Sequence, residues 1–332
     1  MTERNYNGGR NTVDWPGGTW WVLRPVWLVS VLSSVGTVLL SAGVYLIVNS
    51  SSLVECGIEY SDSPVECGAG CEQILSITRD HCSGNIGSHR QLTEDPTTGE
   101  LIFRDVDYIK GPIFTYYRLD GFGQNLSTFR SSRVLAQLKG NSITDRNRLS
   151  LCEPAVSAPN NYLILTPCGI AARSVFNDTF VPFKYCQTGV RDCKIYYNYR
   201  QRVQDILWPN DEEYLFKNPS GNLTVFLDEW LDEEIFPGRM ENAHFQVWMR
   251  DSALPNFLKA YGVIDDDVDL PLHIQVTNRY PITSYGGHKY FIITQLSYLG
   301  GRSAFLGTLY SVVGAIIILL AIIPAIIKIV KA

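Results

Sequence analysis

The chain of 332 residues carries 28 basic and 33 acidic side chains, so its formal net charge is −5. This acidic balance argues against a nucleic acid or an anionic membrane surface as the partner of the chain. Hydrophobic residues make up 45% of the sequence and are unevenly spread, because two long uncharged runs near the ends enclose a polar segment, residues 49–302. The distribution predicts a membrane protein with two spans and one large domain between them.

The first uncharged run, residues 26–48, follows a short tail of residues 1–25. At 1.5 Å per residue, a helix of 23 residues crosses a hydrocarbon core about 30 Å thick. The run is longer than the apolar part of a usual signal peptide and lacks a clear Ala-x-Ala cleavage site, so we expect an uncleaved anchor. Trp20, Trp21 and Trp27 are placed to lie at the adjacent membrane interface.

The orientation of the chain is predicted from the charges outside the two runs. Basic residues flank both runs on the sides that face the termini, namely Arg4, Arg10, Arg24, Lys328 and Lys331. Because positive flanks stay in the cytoplasm, we expect both short tails, residues 1–25 and 328–332, to be cytoplasmic. The polar segment is then an ectodomain on the opposite side of the membrane.

Every cysteine of the chain lies in the polar segment: Cys56, Cys67, Cys71, Cys82, Cys152, Cys168, Cys186 and Cys193. An even number confined to the predicted ectodomain indicates disulfides in an oxidising compartment rather than a zinc site. The first four are expected to pair among themselves in one of three arrangements. Cys152 and Cys168 bracket 15 residues and Cys186 and Cys193 bracket six; each bridge would contribute roughly 2–5 kcal/mol.

Glycosylation sequons point to the same compartment. Asn125-Leu-Ser, Asn177-Asp-Thr and Asn222-Leu-Thr are predicted to carry N-linked glycans. A fourth sequon begins at Asn49, directly after the first run, where we expect it to remain unmodified.

The first half of the ectodomain shows few periodic elements. Residues 53–95 are rich in Gly, Ser and Asp, and we expect an irregular, disulfide-held segment outside the core. Residues 113–117 predict a strand from their β-branched and aromatic content. Residues 123–140 are expected to be helical or irregular.

The second half shows clearer patterns. Residues 245–250 alternate and predict a strand, whereas residues 254–262 predict a short helix with Pro255 in its first turn and Gly262 at its end.

Residues 272–277 also alternate, and we expect them to form a hairpin with residues 290–298. Together these patterns predict a mainly antiparallel β ectodomain, sandwich-like with helical insertions, between two transmembrane helices.

The second uncharged run, residues 303–327, carries small residues at a spacing of seven: Gly300, Gly307, Gly314 and Ala321. In the first run Gly36 and Gly43 are also seven apart. Residues at this spacing share one helix face, where small side chains let another helix approach closely. The two spans would pair with each other through these faces, or both would pack against a third protein.

No catalytic or metal-binding motif is found in the sequence. The five histidines are scattered singly, and the acidic runs at residues 228–234 and 265–269 are expected to be solvated loops. The second acidic run lacks the glycine and distal glutamate of a calcium-binding EF-hand loop. We expect no enzyme activity, no cofactor and no metal.

Four blocks of sequence resemble the accessory (β) subunits of type IV P-type ATPases, the phospholipid flippases. The blocks are Pro167-Cys-Gly-Ile-Ala-Ala-Arg-Ser-Val-Phe-Asn-Asp-Thr, Phe245-x-Val-Trp-Met-Arg-x-x-Ala-Leu-Pro-x-Phe, Asn278-x-Tyr-Pro and Leu296-Ser-Tyr-Leu-Gly-Gly-x-x-x-Phe-Leu-Gly-x-x-Tyr-x-Val-Val-Gly. Tyr116-Tyr-x-Leu, Gln124-Asn and Gln137-Leu-x-Gly are similar to an upstream block of the same family. The resemblance covers residues 108–314 in order.

This resemblance implies a non-catalytic subunit that forms a heterodimer with a catalytic α subunit. Such subunits escort the ATPase out of the endoplasmic reticulum, towards the Golgi, endosomes or plasma membrane, and support the transport of phospholipid from the outer or lumenal leaflet to the cytoplasmic leaflet. The resemblance also implies a disulfide between Cys152 and Cys168, a glycan on Asn177, and a role for residues 300–314 in leading into the second helix.

Two alternatives come from other functional classes. A ligand-gated channel subunit also has two spans around a large disulfide-bonded loop, but here the second span offers only Thr308 and Ser311 as polar residues near one end. An ectoenzyme would need a set of reactive residues, and the sequence suggests none.

Overall fold

The computed structural model describes residues 12–15, 18–21, 25–61, 71–94, 101–143, 145–157, 164–186, 193–219, 231–282 and 285–330. The chain divides into two compact units. We call Met1–Ser52 with Arg302–Ala332 the helix unit, and Leu53–Gly301 the β domain.

The described strands are β1 (Thr12–Trp15), β2 (Gly18–Trp21), β3 (Glu55–Glu59), β4 (Cys71–Ile77), β5 (Cys82–Ser83), β6 (Gly87–Glu94), β7 (Leu101–Ile109), β8 (Ile113–Asp120), β9 (Thr179–Tyr185), β10 (Lys194–Tyr196), β11 (Tyr199–Arg200), β12 (Phe257–Ile264), β13 (Val268–Asp269), β14 (Leu272–Asn278) and β15 (His288–Thr294). The described α-helices are α1 (Pro25–Ser52), α2 (Ser127–Ser131), α3 (Leu135–Leu138), α4 (Ile170–Arg173), α5 (Val203–Ile206), α6 (Pro209–Tyr214), α7 (Ala243–Met249) and α8 (Ala304–Val330). The two predicted spans are thus single helices, a few residues longer than the uncharged runs.

Three antiparallel sheets build the β domain. The largest has the order β11-β12-β8-β15-β3-β5, the second β10-β9-β14-β4 and the third β13-β7-β6. In β8, Ile113, Thr115, Tyr117 and Leu119 are buried and alternate with partly exposed neighbours. The predicted strands at residues 113–117 and 272–277 and the predicted antiparallel β fold are therefore confirmed.

One aromatic core lies between the six-stranded and four-stranded sheets. Phe180 of β9 lies 4.7 Å from Phe291 of β15 and 4.8 Å from Tyr261 of β12, measured between ring centroids. Its ring also contacts Tyr60 at 5.6 Å. Contacts of this kind join the inner faces of two sheets, so the domain is a sandwich, as predicted.

A buried ion pair connects the same two sheets. The ammonium of Lys289 in β15 donates to Asp178 Oδ2 at 2.8 Å, Asn278 Oδ1 at 2.5 Å and the carbonyl oxygen of Tyr280 at 2.8 Å. The side chains of Lys289 and Asp178 are 1% and 0% exposed. Burial lowers the pKa of Lys289, and the adjacent carboxylate opposes that shift.

The carboxylate of Asp178 is satisfied on its other side by main chain. Its Oδ1 accepts from the backbone N–H groups of Arg279 and Tyr280, both at 2.6 Å, and Tyr60 Oη donates to Oδ2 at 3.1 Å. The charge is therefore paired and fully hydrogen-bonded, as a buried charge must be to avoid a large desolvation cost.

Two predicted elements have the opposite secondary structure. Residues 245–250 are predicted to form a strand, but residues 245–249 belong to helix α7, which Asn242 caps by accepting from the N–H of His244 at 2.9 Å. The alternating pattern misleads because the polar Gln246 is also buried, so the segment has no solvent-facing strand side.

A helix is predicted at residues 254–262, but residues 257–262 belong to strand β12. The charge of Lys259 suggests a solvent face, yet this residue is 7% exposed, and its ammonium donates to the backbone carbonyls of Val247 and Arg250. Gly262 is not a helix stop: a Cβ there would lie 2.6 Å from the Tyr199 ring, so the glycine gives that ring its space.

The predicted hairpin between residues 272–277 and 290–298 is wrong. β14 pairs with β4 and β9, whereas β15 pairs with β3 and β8. The residues between β14 and β15 cross from one sheet of the sandwich to the other, as a long connection permits and a tight turn does not.

The expectation of an irregular segment at residues 53–95 is also wrong. The described part of this segment, residues 53–61 and 71–94, contains β3 to β6, and Val54, Cys56, Tyr60 and Ile77 are buried in the main core. β3 is short, with only one buried residue, so its sequence carries little apolar periodicity.

Three disulfides lie in the described part of the β domain: Cys56–Cys82, Cys152–Cys168 and Cys186–Cys193. Cys56 and Cys82 stand opposite each other on β3 and β5. Cys152 and Cys168 lie in a second, smaller core with Leu149, Val156 and Leu165. Cys67 and the side chain of Cys71 lie outside the described residues.

Replacing Lys289 by Met leaves the Asp178 charge buried without its partner. We expect a loss of about 3–5 kcal/mol of unfolding free energy, measured by denaturant titration of the full chain in mild detergent. Lys184→Met is the matched control, because the Lys184–Asp269 pair at 3.2 Å is partly exposed and should cost about 1 kcal/mol or less. Equal losses for the two variants would contradict a special role for the buried pair.

Acidification should destabilise the β domain through His244. Burial lowers the pKa of His244 to about 4, although its Nε2 lies 2.9 Å from the carbonyl oxygen of Tyr261. The unfolded chain therefore binds a proton at higher pH than the fold does, and stability falls as the pH drops from about 6.5 to about 4.

The wild type should lose roughly 2 kcal/mol more than His244→Gln between pH 7 and pH 4.5. The measurement is the same denaturant titration at both pH values, and parallel losses in the two proteins would argue against His244 as the cause.

Candidate partner-binding surface of the paired helices

The helix unit is built from two long apolar helices that run antiparallel. α1 and α8 contain 28 and 27 residues, and the parts from Trp27 to Ser52 and from Ala304 to Ile323 are long and apolar enough to cross a membrane. The backbone N–H of Ser303 donates to Ser50 Oγ at 2.8 Å. A side chain of α1 thus satisfies a backbone group at the start of α8, where no carbonyl of a preceding turn is present.

The glycines of the two helices face one another at two levels. A Cβ added to Gly36 would lie 3.0 Å from the carbonyl oxygen of Gly314, and one added to Gly314 would lie 2.8 Å from that of Gly36. At the second level, a Cβ on Gly43 would lie 2.7 Å from the carbonyl oxygen of Gly307. The backbones therefore touch at both levels, and any larger residue would force the helices apart.

The remaining members of the small-residue series behave differently. Ala321 is fully buried, as expected for a small residue on the same helix face as Gly307 and Gly314. Gly300 lies before α8 begins, in a turn with φ of 101°, and nothing lies within 4 Å of the position its Cβ would take. Its conformation, rather than helix contact, requires a glycine.

The outward surfaces of the helices are large and apolar. On α1 the exposed residues include Trp27, Val38, Val44, Tyr45 and Val48, and on α8 they include Phe305, Val312, Ile316, Leu319 and Ile323. Side chains of this kind suit lipid tails or the helices of another membrane protein. Their number makes this outer surface the candidate site for a partner.

Hydroxyl groups on the helices bond to their own backbone. Ser34, Thr37, Ser41 and Thr308 donate to carbonyl oxygens three or four residues earlier, at 2.7–2.9 Å. The hydrogen of each of these hydroxyls is therefore used within its own helix and is not offered to a neighbouring helix. Ser311 Oγ is buried beside Gly43.

The acidic run at residues 265–269 holds loops together. Asp265 binds the guanidinium of Arg200, Asp266 accepts from the backbone N–H of Asn198 at 2.9 Å, and Asp267 accepts from that of Gly111 at 2.8 Å. Among the described residues no group of three or more His, Cys, Asp or Glu side chains is arranged to hold a metal ion.

The predicted glycosylation sites lie in different environments. Asn125 is exposed, Asn177 is partly buried next to Asp178, and Asn222 lies outside the described residues. Asn49 lies within α1, where its side chain donates to the carbonyl oxygen of Tyr45 at 3.1 Å.

The chain has two apolar helices that contact each other at glycines, and a disulfide-bonded β sandwich between them in sequence. These features define a two-span membrane protein. A family model described as the LEM3 (ligand-effect modulator 3) family / CDC50 family matches residues 46–332. The chain belongs to this family. The resemblance seen in the sequence blocks is confirmed, and so is the prediction that the chain is not an enzyme, because the accessory subunits of the family are non-catalytic.

Relatives from a plant, an animal and a yeast are similar over most of their length. "ALA-interacting subunit 3" of Arabidopsis thaliana is 29% identical, over 93% of this chain and 82% of the relative. "Cell cycle control protein 50B" of Homo sapiens is 30% identical, over 86% and 82%. "Phospholipid-transporting ATPase accessory subunit CRF1" of Saccharomyces cerevisiae is 28% identical, over 90% and 79%.

A leucine at Gly43 or Gly314 should separate α1 from α8. Nitroxide labels on Val38→Cys and Val312→Cys report this, because both positions are exposed and lie two residues along from the Gly36–Gly314 contact. We expect the distance distribution from pulsed electron paramagnetic resonance to lengthen and broaden in either variant. Val44→Leu, at a position 50% exposed, is the control and should leave the distance unchanged; a change there alone would reject the glycine contact as the cause.

Proposed function

We propose that the chain is the accessory subunit of a P-type ATPase that transports phospholipid. The observation that carries the proposal is the family match over residues 46–332. The printed names of two relatives add support, since one is an accessory subunit of a phospholipid-transporting ATPase and the other is an ALA-interacting subunit. The chain then forms a heterodimer with a catalytic α subunit.

The proposed topology follows the charge and sulfur patterns. Residues 1–25 and 328–332 are cytoplasmic tails, residues 26–48 and 303–327 span the membrane, and residues 49–302 form the ectodomain. Disulfides within the β domain support an oxidising compartment. Glycans on Asn125, Asn177 and Asn222 belong to the same proposal.

The proposed role has two parts. The subunit supports folding of the ATPase and its exit from the endoplasmic reticulum, and it supports the cycle that moves phospholipid from the outer or lumenal leaflet to the cytoplasmic leaflet. The absence of Asp, Glu, Lys, Arg and His from residues 26–48 and 303–327 agrees with a chain that does not itself carry the lipid headgroup.

The way in which the ATPase binds follows from which faces of α1 and α8 are already in contact with each other. Because Gly36, Gly43, Gly307 and Gly314 pack within the chain, the ATPase binds the outward apolar surfaces of α1 and α8. The glycines then act indirectly, by holding the two helices at the spacing that the partner recognises. Packing of the same glycines against a third protein would require the helix pair to open.

A pull-down of the tagged chain in mild detergent tests the proposal. We expect a polytopic P-type ATPase to co-purify with the wild type and to be lost with Gly307→Leu/Gly314→Leu, because a deformed helix pair no longer presents its outer surface. Val312→Leu/Val313→Leu changes two exposed positions of α8 conservatively and should retain the ATPase.

The outcomes separate the partnership from its mechanism. If the ATPase remains bound to the glycine variant, the helix pair is not the binding element. If the purified chain alone conducts ions and no ATPase accompanies it, the accessory role is wrong and the channel alternative stands.

A further inference from the structure

A short turn just before α8 carries two exposed apolar side chains. Tyr298 is fully exposed, with a relative exposure of 110%, and Leu299 is 64% exposed. Turns at a protein surface normally carry small or polar residues at their tips. Two large apolar residues at the tip of this turn therefore need an apolar surrounding that the described part of the chain does not supply.

The turn is closed by its own hydrogen bonds. The N–H of Ser297 donates to the carbonyl oxygen of Gly300 at 2.9 Å, and the N–H of Gly300 donates back to that of Ser297 at 3.0 Å. Ser297 Oγ donates to the Gly300 carbonyl oxygen at 3.0 Å and accepts from the N–H of Leu299 at 3.2 Å. Gly300 allows this closure because its φ of 101° is unfavourable for other residues.

Hydrogen bonds within the turn are important in a lipid environment, because lipid tails offer no partners for backbone groups. A peptide N–H or C=O that enters the acyl boundary without a hydrogen-bond partner is strongly unfavourable. Here the N–H groups of Ser297, Leu299 and Gly300 and the carbonyl oxygens of Ser297 and Gly300 are already bonded, which lowers the cost of moving the turn out of water.

The covalent chain limits how far the tip lies from the membrane. Leu299 precedes Ala304, the first residue of α8, by five residues. Since an extended chain spans at most about 3.5 Å per residue, Leu299 lies within about 17 Å of the start of that helix. Arg302, which is exposed, lies between them and carries a charge suited to a lipid phosphate.

We propose that this turn, Leu296–Gly300, inserts Tyr298 and Leu299 into the interface between headgroups and acyl chains of the leaflet in which α8 begins. Tyrosine suits this depth because its ring is apolar and its hydroxyl stays hydrated. A lipid surface is a better occupant than a protein, since two side chains on a narrow tip fall far short of the roughly 800 Å² per partner of a stable protein interface.

The inference rests on the proposed function only in assuming that α8 spans a membrane. The full chain alone, reconstituted in phosphatidylcholine nanodiscs, therefore suffices to test it. An environment-sensitive NBD fluorophore is attached to Leu299→Cys, a substitution at an exposed position. Phe305→Cys in α8 and Leu135→Cys in α3, which are 76% and 55% exposed, serve as the lipid-facing and water-facing references.

We expect the emission of the label at position 299 to shift to the blue and to be quenched by nitroxide lipids as it is at position 305. Aqueous iodide should quench it much less than it quenches the label at position 135. A label at position 299 that behaves like the one at position 135 overturns the proposal.

A second arm separates lipid from protein. Nanodiscs that also contain the ATPase are compared with those that hold the chain alone. If the label is shielded only when the ATPase is present, the turn is a protein-docking element and the lipid proposal is wrong. If Tyr298→Ala/Leu299→Ala retains the ATPase in the pull-down but frees a label on Leu296→Cys to iodide, insertion is supported and the accessory role is unaffected.

Discussion

The ion pair between Lys289 and Asp178 is the contact on which the β domain depends. Lys289 belongs to the six-stranded sheet, and Asp178 immediately precedes a strand of the four-stranded sheet. The pair satisfies both charges with fixed backbone and side-chain groups, so only one relative position of the two sheets leaves neither charge unpaired. Apolar contacts such as that between Phe180 and Phe291 hold the two sheets together, and the ion pair adds a polar contact between them.

The sequence pattern was sufficient to predict those parts of the chain in which one pattern of apolar and polar residues fits few structures. Both spans, the antiparallel β class and the strand at residues 272–277 are predictable because a long uncharged run and a strict alternation each fit very few structures. The segment at 245–250 was predicted as a strand and is mostly helix, and the segment at 254–262 was predicted as a helix and is mostly strand. Both predictions failed because two polar residues, Gln246 and Lys259, are buried. Gln246 donates to the backbone carbonyl of Glu241, and Lys259 donates to those of Val247 and Arg250. The hydrophobic pattern of the sequence does not reveal such partners.

The candidate site was only partly visible in the sequence. A spacing of seven identifies small residues on one helix face, but it does not say which helix they meet. In the structure Gly36 and Gly43 take up the space opposite Gly314 and Gly307, and the large apolar residues are left outward. Gly300 fits the spacing of seven only by coincidence, because its positive φ angle is the reason that this position needs a glycine.

The position of β15 has a consequence for the order in which the domain can assemble. This strand, almost the last part of the β domain to be synthesised, lies between β8 and β3 in the middle of the larger sheet. Until it arrives, β3 and β8 keep open edges, and such edges bind chaperones or other unfinished chains. A chain that stops short of residue 288 therefore lacks a central strand instead of a peripheral one, and both β3 and β8 are left with an unpaired edge.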